Sequence, residues 1–272
     1  MIPASAGTLV ITAHLLVLGL LIATAVMLAL WTLHLATRNA SWVDVGWAGN
    51  LGLLAIAYAI VAPGYLPRRI LVATVVGVWS ARLTLHLIAR TVGATEDPRY
   101  GEMRARWGSN LDLKFFVLFV GQGVLDALLA LPFLFAAIDP APQIHWLAWL
   151  GAGVAAIAML GEATADAQLR AFKANKRNAG QVCRGGLWGW SRHPNYFFDW
   201  LVWVGFALIG LASPWGWTGL LGPALMLYFL TRVTGIAATE AHAVQSRGEA
   251  YRQYQREVSA FVPLPPKRGK LP

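Results

Sequence analysis

Charge is scarce in this sequence. Only 13% of its 272 residues are Asp, Glu, Lys or Arg, while 57% are hydrophobic and mean hydropathy is +0.54. That is more apolar surface than the core of a soluble chain of this length can bury, and it excludes a soluble globular enzyme. Acids are scarcer than bases, 13 against 22. The lysines and arginines do not gather on one exposed module, as nucleic-acid binding requires. They fall in short clusters between apolar runs, like the cytoplasmic flanks of membrane helices, so no nucleic acid is expected as a partner. No obligatory protein partner is evident either. The single cysteine, Cys183, excludes an internal disulfide and is given no role. Gly-x-Gly-x-x-Gly, Walker, Cys-x-x-Cys and His-Glu-x-x-His patterns are all missing, so a soluble nucleotide fold and a metal site lack support. The first residues lack a basic stretch, and the apolar run behind them is too long for a signal-peptide core. It reads as a retained membrane helix.

What is present is a series of seven apolar runs, near residues 8–34, 44–62, 69–90, 113–137, 144–168, 196–212 and 215–237. Each is of the length that crosses a hydrocarbon core of roughly 30 Å, for which a helix needs about 20 residues. In lipid every backbone polar group must be satisfied internally, and runs without period-two alternation do this as helices. The expectation is an all-α polytopic membrane protein with seven transmembrane helices, forming one domain over residues 1–272. Most basic residues fall in the loops at about 91–112 and 169–195 and in the tail from 238, whereas only Arg68 and Arg69 fall on the opposite side. The positive-inside rule then places the N-terminus outside and the C-terminus in the cytoplasm.

Polar groups inside such runs are functional candidates, because an unpaired charge in lipid costs several kcal/mol. Arg82, His86 and Arg90 recur every four residues and share a helix face. They form either a positive stripe facing the bundle, or a snorkelling Arg90 above two groups satisfied by neighbouring helices. Gln122 and Asp126 are likewise four apart, beside Gly121 and Gly123. Glu162, Asp166, Arg170 and Lys173 make a stripe that changes sign toward the membrane surface. It is a salt-bridge ladder or one wall of a site. Asp44, between Trp42 and Trp47, is a helix cap or a carboxylic acid kept protonated by apolar walls. "SRHPNYFFDW", residues 191–200, crowds Arg192, His193, Asn195, Tyr196 and Asp199 at a helix start marked by Pro194. Together these groups predict a cytoplasmic-side pocket for a large anionic cofactor, with arginines on its phosphates and carboxylates on its hydroxyls or amine.

"GLWGWSRHPNYFFDWLVWVG", "EATADAQLRAF", "EDPRYGEMRARWG" and "RGEAYRQYQREVSAFVP" resemble the bacterial, DUF1295-type membrane proteins of the steroid 5-alpha-reductase family. The resemblance covers about residues 38–266 and is sharpest in the C-terminal half. It implies NADPH bound among the helices and hydride transfer to the C4–C5 double bond of a 3-oxo-delta-4 steroid or similar enone. The substrate is lipophilic and enters from the bilayer among the membrane lipids. On this resemblance the cofactor residues are Arg38, Arg90, Arg99, Tyr100, Glu162, Asp166, Arg170, Lys173, Arg192, His193, Asn195, Tyr196, Asp199, Glu240, Tyr251 and Tyr254. "GQGVLD" resembles the eukaryotic members' Gly-Asn-Gly-Val-Leu-Gln, which puts Gln122 and Asp126 in the substrate pocket with Trp47 and Asn50. Eukaryotic members hold the ketone with a Glu and a Tyr, and the nearest counterparts here are Asp44 and His86, taken as the catalytic pair. Phe198 replaces a usual glycine.

"SRHPNY" also resembles the isoprenylcysteine and phospholipid methyltransferases, which bind S-adenosylmethionine. Their Glu pair is here "TEAH", with Glu240 alone. That departure favours the reductase, with the methyltransferase as the alternative.

Overall fold

A computed structural model of the protein describes residues 6–233 and 235–267; the last basic residues of the tail, Arg268 and Lys270, lie outside them. Among the described residues the fold is all-α. Six helices are long and apolar enough to cross a membrane and mark the chain as a polytopic integral membrane protein. They follow the apolar runs closely, because helical hydrogen bonding is what satisfies a long apolar backbone in lipid. α1 (Ala6–Thr37), α2 (Trp42–Val61) and α3 (Leu66–Thr91) come first. The loop after α3 folds into α4 (Pro98–Trp107), with Asp97 as its N-cap and Pro98 in its first turn. The fourth crossing is α5 (Leu111–Leu129) with α6 (Leu131–Ile138), interrupted at Ala130 ahead of Pro132. α7 (Trp146–Ala174) and α8 (Pro194–Leu211) complete the six.

The seventh run is not one helix, which corrects the expectation of seven continuous spans. It divides into a 3-10 turn at Gly216–Leu220, α9 (Leu221–Tyr228) and a π-helical turn at Phe229–Val233, before α10 (Ile236–Arg247) begins. Hydropathy sees the run; Gly216, Gly219, Gly222 and Pro223 weaken its helix. The broken stretch nonetheless runs antiparallel to α8. The Trp203 ring packs on Gly222, Trp200 Nε1 donates to the Pro223 carbonyl (3.0 Å), Tyr196 meets Thr239 and Arg192 meets Glu240. A Cβ at Gly235 would sit 2.2 Å from the Leu230 carbonyl, so the π turn closes only over glycine.

Where the sequence reads as one domain, the chain packs as two compact units. Unit 1 takes residues up to Trp149 plus Leu208–Gly219. Its core joins Met27, Val43, Tyr100, Phe115 and Phe119, and α2 meets α3 where Ser80 Oγ donates to the Ala48 carbonyl across Gly52. At the far end Arg68 is buried and locked. Its guanidinium pairs with Asp139 at 2.8 Å and donates to the Asp139, Ala141 and Gln143 carbonyls, so this cation organises a loop rather than marking a solvated flank.

Unit 2 takes Leu150–Ala207 and the chain from Leu220 onward. Here Gly205 allows α8 to approach the Gly151 carbonyl and Ala155 of α7, and Gly161 makes room for Phe198. The tail forms two helices, α10 and α11 (Glu249–Glu257), separated at Gly248, whose φ of +56° favours glycine. Beyond α11 the chain straps back over the start of α8. Arg192 N donates to the Ser259 carbonyl (2.8 Å), Ser191 Oγ to the Phe261 carbonyl (2.8 Å) and Leu264 N to the Trp190 carbonyl (3.0 Å). The Phe261 ring meets Phe197 and Trp200 edge-on.

Candidate functional site

The expected site residues fall into two clusters, one in each unit. In unit 1, Ser41 is the N-cap residue of α2, and Asp44 stands in the first turn. Its two carboxylate oxygens are both acceptors: Arg99 Nη2 donates to one at 2.8 Å, and the Tyr100 hydroxyl to the other at 2.8 Å. The structure therefore gives Asp44 an ion pair in place of the apolar walls expected around a protonated acid. α4 delivers both partners. Asp97 caps it by accepting from Arg99 N and Nε (both 3.0 Å), and also pairs with Arg90. Beside it Glu96 takes a two-pronged pair from Arg104 (2.8 and 2.9 Å) and the backbone N–H of Ala40 (2.6 Å).

Burial raises the carboxyl pKa of Asp97, but the hydrogen bonds and charges of Arg99 and Arg90 outweigh it and hold the group below its ordinary value. For Tyr100 burial leads and the Asp44 charge adds to it, so its phenol pKa is pushed well up and the hydroxyl keeps its proton. His86, the other half of the expected catalytic pair, is exposed on α3. The aromatic hydroxyl that meets Asp44 is Tyr100, expected at the cofactor; the missing clue was a contact across 56 residues, which no local spacing encodes. The Arg38 side chain makes an exposed pair with Asp112.

The expected substrate-pocket residues form a separate buried group in unit 1. Asn50 and Asp126 are fully buried, with Asn50 Nδ2 donating to Asp126 at 2.7 Å and approaching the Ala23 carbonyl at 3.3 Å. Gln122, one turn away, also bonds Asp126, and Trp47 packs edge-on against Trp79. Each of Asn50 and Asp126 keeps one buried oxygen without a partner among the described residues.

Unit 2 holds a cavity of about 370 Å³, within the range of small-molecule sites. Of the expected residues, Lys173, Arg192, His193, Asn195, Tyr196, Tyr251 and Tyr254 line it. Pro194 starts α8 and turns this group inward. Glu240 acts from behind the lining: it accepts from Arg192 Nε (2.6 Å) and Gln255 Nε2 (2.8 Å) and lies 3.2 Å from His193 Nε2. Burial alone would raise the Glu240 pKa, yet the bonds from His193, Arg192 and Gln255 bring it down to about 2. The His193 ring stacks on Tyr196, 8° from parallel. Arg192 also donates to the Gln255 and Val258 carbonyls, and the Tyr254 hydroxyl donates to the Trp188 carbonyl. Burial pushes the Tyr251 phenol up to about 12.

The rest of the expected set stays off the cavity wall. Asp166 accepts from Asn195 at 3.4 Å; Glu162 is buried, Asp199 half-buried, and both have interactions of their own. Arg170 is exposed. The cavity also takes Trp188 and His242, which sequence reasoning missed, and Arg247 from the basic cluster of the tail, whose Nε donates to the Gln181 carbonyl at 3.0 Å. The cavity thus joins three permanent cations, two histidines and five further aromatic rings in its wall, and no carboxylate belongs to its lining. Such a wall has the chemistry to suit a flat, multiply anionic molecule: guanidinium and ammonium groups for the anions, rings for the planar part.

Among known proteins, an uncharacterized protein of the fission yeast Schizosaccharomyces pombe is 27% identical over 284 aligned positions, which cover 91% of this chain and 79% of the yeast protein. No solved structure matches the chain. The profile of the family described as "Protein of unknown function (DUF1295)" matches residues 30–258, and the chain belongs to that family.

Proposed function

We propose that the protein is an NADPH-dependent membrane reductase of the steroid 5-alpha-reductase type, acting on the C4–C5 double bond of a 3-oxo-delta-4 steroid or a similar enone lipid. The observation that carries the reading is the unit 2 cavity, with Lys173, Arg192 and Arg247 in its wall, Trp188, Tyr196 and Tyr251 beside them, and no carboxylate in the lining. Three phosphates and a planar base suit that wall. S-adenosylmethionine, with a sulfonium and an ammonium on one small molecule, suits it less. Glu240, the residue that resembles half of the methyltransferases' Glu pair, is engaged by Arg192, His193 and Gln255.

Bound there, NADPH would supply a hydride to C5 of the enone and leave as NADP⁺, while a proton goes to C4. The chain's part is to orient both molecules, exclude water and steady the charge that develops on the ketone oxygen. In this reading Tyr100 is the donor to that oxygen. Its hydroxyl, held by Asp44, turns to the ketone when substrate arrives, and Arg99 holds Asp44 in place behind it. His86 has no part in this step. The exposed apolar helix faces receive a lipophilic substrate from the bilayer. The broken run after Pro214 serves as a seventh crossing, which puts the N-terminus outside and the basic loops and tail in the cytoplasm of a bacterial inner-membrane protein.

The test is to purify the protein in lipid nanodiscs and follow NADPH absorbance on adding a 3-oxo-delta-4 steroid. Oxidation with saturation of the ring double bond supports the reading. Methyl transfer from S-adenosylmethionine without NADPH oxidation overturns it.

A further inference from the structure

Unit 2 contains a second cavity, of about 500 Å³. Its walls are the last turn of α7, the turn at residues 175–181 and Arg247. Three cations line it, Lys173, Lys176 and Arg247, and no acid does.

The amides of that turn are already engaged in shaping it. Asn175 Oδ1 accepts from Arg177 N (3.1 Å), Asn178 Nδ2 donates to the Phe172 carbonyl (2.9 Å), and Gln181 Nε2 donates to the Arg177 carbonyl (3.0 Å). The acids of the tail are engaged too: Glu240 with Arg192, Glu249 with Arg252 and Arg256, Glu257 with Arg184. Among the described residues no ion pair is made by Lys173, Lys176 or Arg247; Arg247 reaches only the Gln181 carbonyl and Ser246 Oγ. Three like charges are therefore held around one hollow without a counter-charge, which is unfavourable unless an anion occupies it.

Depth adds a second argument. α7 crosses as Trp146–Ala174, so a hollow built from its last turn and residues 175–181 sits where the span leaves hydrocarbon, at the level of lipid headgroups.

We propose that this cavity binds a phosphate ester at the membrane surface through Lys173, Lys176 and Arg247, its depth favouring the phosphodiester of an anionic phospholipid over phosphate free in solution. It shares Lys173 and Arg247 with the first cavity. Lys176 separates the two, because it lines the second cavity and not the first.

The experiment compares the thermal midpoint of the purified full chain in phosphatidylcholine nanodiscs, in nanodiscs containing phosphatidylglycerol, and in phosphatidylcholine nanodiscs with added inorganic phosphate. Phosphatidylglycerol should raise the midpoint by about 2–4 °C. Lys176→Ala should weaken the preference about fivefold, Lys176→Arg should keep it, and salt should erode it. An equal, Lys176-dependent rise with inorganic phosphate, without a lipid preference, keeps the site and assigns it a soluble source. Shifts that ignore Lys176 in all three samples overturn it. So does a Lys176→Ala chain whose NADPH affinity falls as far as its lipid preference, since the hollow would then be part of the cofactor site. Absence of NADPH binding with the lipid shift intact removes the cofactor reading and leaves this one standing.

Discussion

In unit 1 the acids Asp44, Glu96 and Asp97 each face an arginine, and the cluster is neutralised by its own members. In unit 2 Lys173, His242 and Arg247 look into a cavity whose lining has no carboxylate, and the nearby glutamates are turned to other arginines. Both sets of charges stand at the ends of apolar helices, where desolvation penalises an unmatched ion. A cluster that satisfies itself is stable without a ligand and suits the precise placement of one polar hydrogen. A wall with standing positive charge is completed by an anion from outside. On the proposed reading, the first cluster positions substrate and the second binds the cofactor.

The sharpest way to break that division is to remove the hydroxyl of unit 1. Tyr100→Phe should lower kcat about 10²–10³-fold, the loss typical of one donor to a developing oxyanion, with NADPH affinity unchanged. His86→Ala should leave both unchanged. Turnover assays beside cofactor titrations check this, and a Tyr100→Phe chain that turns over normally would dissolve the contrast. Next in size is Glu240→Ala, which leaves buried Arg192 without its carboxylate and should destabilise the protein by about 3 kcal/mol at neutral pH. Because the folded state holds the Glu240 pKa at about 2 against an ordinary 4.5, its contribution is complete above about pH 4.5 and is lost as pH falls toward 2. Denaturation of wild type and variant should therefore converge over that window. A smaller effect belongs to Arg247→Ala: NADPH affinity falls about tenfold, as for one charge-assisted hydrogen bond, with a shallower salt dependence. Smallest is Arg38→Ala. Its pair with Asp112 is exposed on both sides, so stability should change by less than about 1 kcal/mol and cofactor affinity not at all.

The six long helices were legible because apolar run length dictates them, and Pro194 marked a real helix start. The seventh run was misread because hydropathy does not register how Gly216, Gly219, Gly222 and Pro223 divide it. Within the sites, local spacing found the right residue types and the wrong company. Asp44 and Tyr100 were singled out separately, but their contact depends on how α4 folds back onto α2. Gln122 and Asp126 were paired by their four-residue spacing and Asn50 was set in the same pocket by resemblance, whereas the hydrogen bond that joins Asn50 to Asp126 across 76 positions comes from the fold. Glu162, Asp166, Arg170 and Lys173 looked like one stripe, yet only Lys173 reaches the cavity, because Glu162 is buried and Arg170 exposed.

The most direct test of the central claim is a binding titration of the purified protein in nanodiscs with NADPH and, separately, with S-adenosylmethionine. Saturable NADPH binding, weakened by salt and by Arg247→Ala, with S-adenosylmethionine not competing, is the predicted result. Binding of S-adenosylmethionine with none of NADPH would contradict the account.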